Sequence, residues 1–436
     1  MFATYRNTLL AVLVLGALAG CETEPTPQAP YQEEAAVDTI PSTINLTVTE
    51  GNVSVPTTAI DPQTGTVYWA WFGEQEETMH VYLAWLDPGS TTPSTPVQVN
   101  QGPDIVNRHA QAPAQIVVGP EGNVYVAWTT RIDIEGERFP ASNLMLARST
   151  DGGRTFEPEI AVNDDVDGML AGHTFHNIAV GPEGHIYVAW LDGRKRAQAK
   201  AQQANGNAHT PIRRANFSLV RHEPGTEVRL ARSADGGKSF GENVVVAKNS
   251  CQCCRTALAV AADGTVYLAW RHIFGDNIRD MALARSTDGG QTFSTPTRIH
   301  EDGWHIDGCP HSGPSLAVDT QGRVHAAWYT GAEQGMGLFY AVSEDGSAPF
   351  STPEPLIRDV PISQSALTAD DKGRVWLAWE NAPTDQVQIA QVGVGGVEKN
   401  DATAFAGETP TMASAKGSHV VTWMEGQAIK AQVQRN

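Results

Sequence analysis

Residues 122–128 read GNVYVAW, a turn-forming pair followed by alternating β-branched and aromatic residues that end in tryptophan. Such alternation is typical of a β-strand with two different faces. A second short apolar run, QIVV at 115–118, precedes this phrase, and similar runs precede other copies. The pair of runs predicts a β-hairpin. The phrase recurs along the chain, and its copies end at Trp71, Trp128, Trp190, Trp270, Trp328, Trp379 and, most weakly, Trp423.

The spacing of these tryptophans predicts the fold. They lie 44 to 80 residues apart, which leaves room for two further strands after each hairpin. Repeated four-stranded units that cannot bury both faces alone are typical of β-propeller blades. We therefore predict an all-β protein with seven blades, and a six-bladed ring is the alternative. Residues 408–436 supply about three strands of the last blade, and residues 42–51 are expected to add the fourth and close the ring by pairing the two ends of the chain.

Composition agrees with many short strands and turns. The 436 residues include 41 Gly and 26 Pro, while only 18% are charged, which disfavours a long helical bundle. The net charge of −19 argues against nucleic acid as a partner of the protein as a whole. Five cysteines are too few for a disulfide scaffold, yet four of them lie between Cys251 and Cys309.

The N-terminal segment indicates export. Residues 1–20 carry one charge and the apolar run 9–15, as in a secretory signal peptide. The sequence LAGC ending at Cys21 resembles the lipobox of bacterial lipoproteins, in which the cysteine is acylated. Residues 21–41 then read as a disordered tether, and 42–436 as a single propeller domain. The expected location is the bacterial outer membrane or cell surface, with the lipid anchor as the contact with the membrane.

A second phrase lies in the latter half of several repeats. It reads STDGGRTF at 149–156, SADGGKSF at 233–240, STDGGQTF at 286–293 and, decayed, SEDGSAPF at 343–350. This phrase resembles the Asp-box of the sialidase superfamily. The resemblance implies a structural turn on the face opposite the active site, so we interpret Asp151, Asp235 and Asp288 as turn residues and not as catalytic acids.

The same resemblance raises the hypothesis of an exo-sialidase or related glycoside hydrolase. Those enzymes bind a carboxylate with three arginines and use a Tyr–Glu nucleophile pair and an aspartic acid. This chain lacks the Arg-Ile-Pro phrase that holds the first arginine of the family, so it is not a close match to a catalytic sialidase. No motif assigns the roles here, and the residues that can be nominated are Arg255, Arg271, Tyr329, Glu380 and Asp192.

Cysteines and histidines recur at equivalent positions before the first strand of neighbouring blades. Seventeen residues before the repeat tryptophan stand His173, Cys253 and His311, and nineteen before it stand His109, Cys251 and Cys309. In a propeller these positions lie near the axis on the face opposite the Asp-boxes. Cys254 and His176 are close in sequence. We therefore expect these side chains to converge at the central mouth, although they come from different blades.

Thiolate and imidazole ligands select copper or zinc over magnesium or calcium. We interpret the set as a metal site, with copper as the first choice and zinc as the second. Two disulfides are an alternative, because an exported protein meets oxidising conditions and four cysteines allow three pairings. A redox-active thiol pair is a further alternative. The predicted ligands are Cys251, Cys253, Cys254, Cys309, His109, His173, His176 and His311.

Three functions remain open from the sequence. The first is metal binding or metal-dependent redox chemistry by a lipid-anchored propeller. The second is the glycoside hydrolase, and the third is a non-catalytic propeller that binds a glycan or a protein. A basic insertion at 193–222 in the third blade is either a solvated loop or a lid that attracts an anionic small molecule or glycan to the mouth.

Overall fold

The repeated hairpins form the two inner strands of seven antiparallel sheets arranged in a ring, so the protein is a seven-bladed β-propeller. The structure is a computed structural model. The signal peptide, Cys21 and the tether predicted for residues 1–41 lie outside the residues that it describes. Those residues are 43–46, 53–137, 139–166, 168–204, 226–333, 335–361, 364–393, 395–397 and 403–435.

Each blade runs outward from strand A at the axis to strand D at the rim. In the first three blades the order in the sheet is the order in the chain. Blade 1 consists of β2 (Thr57–Ile60), β3 (Val67–Gln75), β4 (Thr78–Leu86) and β5 (Val97–Gln98). Blade 2 consists of β6 (Gln115–Val118), β7 (Val124–Thr129), β8 (Leu144–Ser149) and β9 (Ile160–Ala161). Blade 3 consists of β10 (His173–Val180), β11 (Ile186–Asp192), β12 (Thr226–Ser233) and β13 (Val244–Ser250).

The next three blades repeat this order, and blade 6 has an additional strand paired to its strand C. Blade 4 consists of β14 (Ala257–Val260), β15 (Val266–Arg271), β16 (Met281–Ser286) and β17 (Thr297–Arg298). Blade 5 consists of β18 (Ser315–Val318), β19 (Val324–Thr330), β20 (Gly337–Ser343) and β21 (Glu354–Arg358). Blade 6 consists of β22 (Ser365–Ala369), β23 (Val375–Asn381), β24 (Gln386–Gly393), β25 (Gly396–Val397) and the additional β26 (Thr403–Ala406).

Blade 7 joins the two ends of the chain. Its inner strands are β27 (Glu408–Ala415), β28 (Ser418–Glu425) and β29 (Ala428–Arg435), and its outer strand is β1 (Ile44–Asn45). Ile44 pairs with Ala431 and Asn45 with Lys430. The predicted closure of the ring by the two chain ends is therefore confirmed, and the six-bladed alternative is wrong.

The repeat tryptophans lie in the layers between blades. Trp190 of blade 3 packs with Tyr125 of blade 2, and Trp328 of blade 5 packs with Tyr267 of blade 4. Both tryptophans have no exposed surface. Burying a large aromatic side chain is among the strongest local contributions to stability, so one tryptophan per repeat holds each blade to its neighbour.

Among the residues that the structure describes, two short helical turns and one helix interrupt the strands. The turns are Gly275–Asn277 and Ala382–Thr384, and the helix α1 is Arg194–Ala204. This helix occupies the start of the basic insertion predicted at 193–222, which the sequence left as a loop or a lid. In the part of the chain that the structure describes, no helix is long and apolar enough to cross a membrane.

Candidate metal centre

Two loops bring four cysteines together at blade 4. The first loop connects β13 to β14 and carries Cys251, Cys253 and Cys254, while the second connects β17 to β18 and carries Cys309. Both run from the rim to the axis on the face opposite the Asp-box turns. The Cys251 amide donates to the Arg271 carbonyl at 2.9 Å, which extends the pairing of blade 4 and fixes the start of the first loop.

Arg279 joins the two loops. It lies between strands B and C of blade 4 and is 3% exposed. Its Nη1 donates to the Gly308 carbonyl at 2.6 Å and to Cys251 Sγ at 3.6 Å. One buried guanidinium therefore holds the loop of Cys309 against the loop of Cys251.

The three thiols of the first loop form a buried triangle. Cys251 Sγ lies 3.6 Å from Cys253 Sγ and 3.7 Å from Cys254 Sγ. All three are at most 4% exposed, in a core cluster that includes Phe175 and Leu258. Metal–sulfur bonds of roughly 2.3 Å around a tetrahedral ion place the sulfurs about 3.8 Å apart, whereas a disulfide brings them to about 2.05 Å. The spacing of these free thiols matches ligands around one ion.

Hydrogen bonds, charges and burial give these thiols different pKa values. Hydrogen bonds from Cys253 and Cys254 hold the pKa of Cys251 well below its usual value, and the Arg279 and Arg271 guanidinium groups lower it further. Burial raises the pKa of Cys254 to about 12. The hydrogen bond with Cys253 lowers the pKa of Cys309 to about 7. The site therefore favours a thiolate at Cys251 and another at Cys309 near neutral pH.

Arg271 places a second positive charge beside the thiols. It is 1% exposed and donates to the carbonyls of Ser312, Arg279 and Tyr329 at 2.8 to 3.3 Å. Its guanidinium also stacks on Trp304, 4.6 Å from the ring centroid. Since a buried cation needs a compensating charge, these hydrogen bonds to neutral groups leave Arg271 suited to balance thiolates.

Cys309 and His311 extend the site toward solvent. Their ligand atoms lie within 4.8 Å of each other and of Cys253 Sγ. Cys309 is half-buried, and His311 is exposed with a left-handed backbone (φ 52°). Desolvation and then the nearby His311 lower the pKa of His109, so these two predicted ligands are neighbours.

The structure does not bring His173 and His176 to the cysteines. His173 Nε2 lies 3.0 Å from Asp165 and 3.5 Å from Asp192, and His176 Nε2 contacts the Ala127 carbonyl at 3.1 Å. Strand A of blade 3 already begins at His173, which pairs with Asp192, and the ladder then shifts register at Phe175. Both histidines therefore lie inside the sheet and not in the loop before it.

The residues nominated for a glycosidase are also dispersed or engaged. The Asp192 carboxylate is fully buried and accepts from Trp190 Nε1 at 2.9 Å, while Arg271 is buried as described. Arg255 donates to Gln364 and to the Ser365 carbonyl. The half-buried Tyr329 packs edge-on against Trp304, and Glu380 accepts from the Thr409 amide. Both Arg255 and Arg271 therefore already donate hydrogen bonds within the protein.

The Asp-box carboxylates accept hydrogen bonds from groups of their own turns. Asp235 accepts from the amides of Lys238 and Ser239 and from the hydroxyls of Ser233 and Ser239 at 2.6 to 3.0 Å. The boxes lie between strands C and D, on the face opposite the cysteines. This geometry agrees with their interpretation as structural turns.

Helix α1 reaches the cysteine loop. Arg196 Nη1 donates to Gln252 Oε1 at 2.7 Å, and Lys200 pairs with Glu137 of blade 2 at 2.6 Å. Asp192 accepts from the Arg194 amide at 3.0 Å and so satisfies one of the unpaired amides in the first turn of the helix. Helix α1 of the basic insertion therefore contacts both blade 2 and the cysteine loop.

Sequence reasoning missed Arg279 and Gln252. Arg279 lies in the loop after strand B of blade 4, the same kind of loop that supplied other candidates, and in the same blade as the cysteines. Its position could have been found by asking which basic residues share a blade with the thiols. Gln252 stands inside the CQCC phrase and offered no separate signal.

The chain is similar to known proteins in its fold. No protein-family profile matches the chain, and no curated protein matches it. The chain is similar to the NanB sialidase from Streptococcus pneumoniae, with 9% identity, 85% of this chain and 84% of that chain covered, and a TM-score of 0.50. It is also similar to an ulvan lyase of polysaccharide lyase family PL25, with 11% identity, coverage of 87% and 94%, and a TM-score of 0.50. Sequence identities this low show similarity of the fold alone. That fold is the one of sialidase-like β-propellers.

Proposed function

We propose that this protein is an exported, lipid-anchored propeller that binds a soft metal ion, copper(I) in the first place, at the cysteine cluster of blade 4. The observation that carries the proposal is the buried triangle of Cys251, Cys253 and Cys254, with sulfur separations of 3.6 and 3.7 Å. Thiolates are soft ligands that prefer copper(I) and zinc. Three sulfurs suit copper(I), whereas zinc sites in proteins are almost always four-coordinate.

The surroundings of the triangle support a metal thiolate. Arg271 and Arg279 are buried cations that offset the negative charge of bound thiolates, and the apolar cluster around Cys254 keeps water away. Thiols of an exported protein meet oxidising conditions. A bound copper(I) ion would protect the three thiols of the triangle, because coordination occupies their sulfur lone pairs.

The test is metal analysis of the full chain produced in a bacterial host and extracted without added reductant. We expect bound copper, with Cys251, Cys253 and Cys254 unavailable to a thiol reagent until the metal is removed. Cys253→Ser is expected to lose at least tenfold in copper content with the fold intact. Cys21→Ser is the matched control, because it removes a cysteine outside the cluster and should release the protein from the membrane fraction while keeping its metal.

Three outcomes would contradict the proposal. One is protein without metal in which all four cysteines form disulfides. Another is metal-free protein that releases sialic acid from a generic sialoside, which would favour the glycosidase hypothesis. The third is copper retained by Cys253→Ser at the wild-type level, which would mean that the metal binds elsewhere.

A further inference from the structure

The donor atoms at blade 4 fall into two groups that overlap in one thiol. The inner group is Cys251, Cys253 and Cys254, and the outer group is Cys253, Cys309 and His311. Within each group all ligand atoms lie within 4.8 Å of one another, and only Cys253 is common to both. The following inference rests on the metal-binding function proposed above.

The size of one coordination sphere separates the two groups. Ligands of a single ion with bonds of roughly 2.3 Å lie at most about 4.6 Å apart. The ligand atoms of each group lie within 4.8 Å of one another, which is close to this limit. The five donors together do not form one such group. A single ion would therefore leave two donors uncoordinated, whereas two ions would use all five.

We propose that the cluster holds two copper(I) ions bridged by Cys253 Sγ. The inner ion has Cys251, Cys253 and Cys254 as ligands, and the outer ion has Cys253, Cys309 and His311. Thiolate sulfur has enough lone pairs to bind two soft ions at once. The CQCC phrase at 251–254 then supplies the three ligands of the inner ion, including the bridging sulfur, from one short loop.

The charges of the buried groups fit two monovalent ions. Four thiolates carry four negative charges, which two copper(I) ions reduce to a net charge of minus two. Arg271 and Arg279, both at most 3% exposed, supply the two compensating positive charges. Two divalent ions would instead neutralise the four thiolates and leave the positive charges of both arginines uncompensated, which is costly in a buried place. The arginine pair therefore favours copper(I) over zinc for a two-ion site.

The two ions differ in access to solvent. The Cys254 side chain has no exposed surface, whereas Cys309 is half-buried and His311 is exposed. Exchange with a ligand in solution can begin at His311 without opening the core. The outer ion is therefore the exchangeable one, and the inner ion is released last.

The experiment is an anaerobic titration of the full-length, reduced chain with copper(I), with a water-soluble copper(I) chelator as competitor. We expect two ions per chain, a copper–copper scattering path in the X-ray absorption spectrum, and removal of one ion by the chelator at least tenfold faster than the other. His311→Ala and Cys309→Ser are each expected to bind one ion and to lose the copper–copper path. Cys254→Ser is expected to lose the slowly released ion.

His185→Ala is the matched control, because this histidine lies in a turn between strands A and B on the opposite face, beside Arg232. It should keep both ions. One ion per wild-type chain, unchanged in Cys309→Ser, would overturn the two-ion site while leaving metal binding intact. No copper in any form of the chain would overturn the proposed function itself. Because His311 and Cys309 lie at the surface of the site, their variants are expected to keep the wild-type circular dichroism and melting temperature.

Discussion

Cys253 is the cysteine that interacts with the other three thiols of blade 4. Its sulfur contacts that of Cys251, and it interacts with Cys254 and Cys309 as well. Hydrogen bonds donated to these thiols raise the pKa of Cys253, so in the metal-free protein it is the proton donor of the cluster. Metal binding must displace that proton, which makes copper affinity fall as the solution becomes more acidic.

His173 has a structural role that the metal hypothesis did not anticipate. It is 2% exposed, and its ring contacts Asp165, Asp192 and the Ser142 carbonyl. Burial alone would lower the pKa of His173, but the hydrogen bond to Asp165 and the charge of Asp192 outweigh it and raise the pKa. Arg194 also pairs with both aspartates, so the imidazolium belongs to a buried ion network.

This network predicts a pH-dependent stability. Since the pKa of His173 is higher in the folded than in the unfolded protein, its contribution is fully present below pH 6.5 and is lost as the pH rises through the folded value. His173→Gln should cost about 1.5–3 kcal/mol below pH 6.5, the usual size for hydrogen bonds to charged groups. The difference in unfolding free energy from the wild type should shrink as the pH rises above 6.5. Urea unfolding at a series of pH values from 6.5 upward measures it.

His325→Gln provides a comparison, because burial lowers the pKa of His325 despite its contact with Asp319. Its stability difference should not shrink as the pH rises. A His173→Gln effect that stays constant or grows with pH would contradict the charged network.

The sequence correctly predicted that the four cysteines lie close together. It wrongly placed the histidines of blade 3 beside them. Register counted back from the tryptophans assumes that every strand A starts at the same point. In blade 3 it starts at His173 and then bulges at Phe175, a left-handed position (φ 57°) that no residue type reveals. Tertiary pairing decides where such a strand begins, so the equivalence of His173 and Cys253 existed in the alignment of repeats but not in space.

Among the structural elements, the Asp-box turn is the most self-contained. In the box at 233–240 the carboxylate of Asp235 bonds two amides and two hydroxyls, and the Ser233 hydroxyl also accepts from the Gly237 amide. Gly237 has a left-handed backbone (φ 81°), and a side chain there would meet the Tyr125 ring of the adjacent blade at 3.0 Å. The turn therefore links blade 3 to the preceding blade 2.

The box predicts a loss of stability without a loss of metal. Asp235→Ala removes four hydrogen bonds to one carboxylate and should lower the unfolding free energy by about 1–2 kcal/mol, while copper content stays at the wild-type level. Asp263→Ala is the control, since this exposed carboxylate accepts one amide bond, from Thr265. Thermal unfolding together with metal analysis gives both readouts. A change of copper content in Asp235→Ala would mean that the two faces of the ring are coupled.

Elements with a strong local pattern were predictable, and helix α1 was not. Alternating residues and glycine turns gave the hairpins and the boxes because their periodicity and turn chemistry are local. The helix sequence RKRAQAKAQQA has no apolar stripe, although Ala, Arg, Lys and Gln are good helix formers. It is held by Asp192 at its start and by Gln252 and Glu137 on its neighbours, contacts that only the folded ring supplies.

At the scale of the whole molecule, stability depends on closing the ring. The outer strand β1 pairs with β29, and the Leu46 amide bonds the Ile429 carbonyl at 3.1 Å. Leu46 is 5% exposed and packs with Trp69 and Trp71 of blade 1. Strand β1 and the residue that follows it thus contact both blade 7 and blade 1.

Breaking this closure should destabilise the entire propeller. Ile44→Pro removes a backbone donor from β1 and should lower the melting temperature by several degrees, with Ile44→Val as the control of similar shape. The freed edge of β29 can pair with another chain, so the variant should also associate at high protein concentration. Differential scanning calorimetry and light scattering measure the two effects. A melting temperature equal to that of Ile44→Val would show that β1 is dispensable.

The pairing of β1 with β29 also orders the events of biogenesis. Asn45 and Lys430, joined by a hydrogen bond, are 385 residues apart in the chain. A chain that emerges from its N-terminus carries β1 without a partner until nearly all of its length has been made. Before that moment the finished blades form an open arc with an unpaired strand at each end. Such an arc exposes strand edges that can pair with other chains, and the pairing of β1 with β29 removes them.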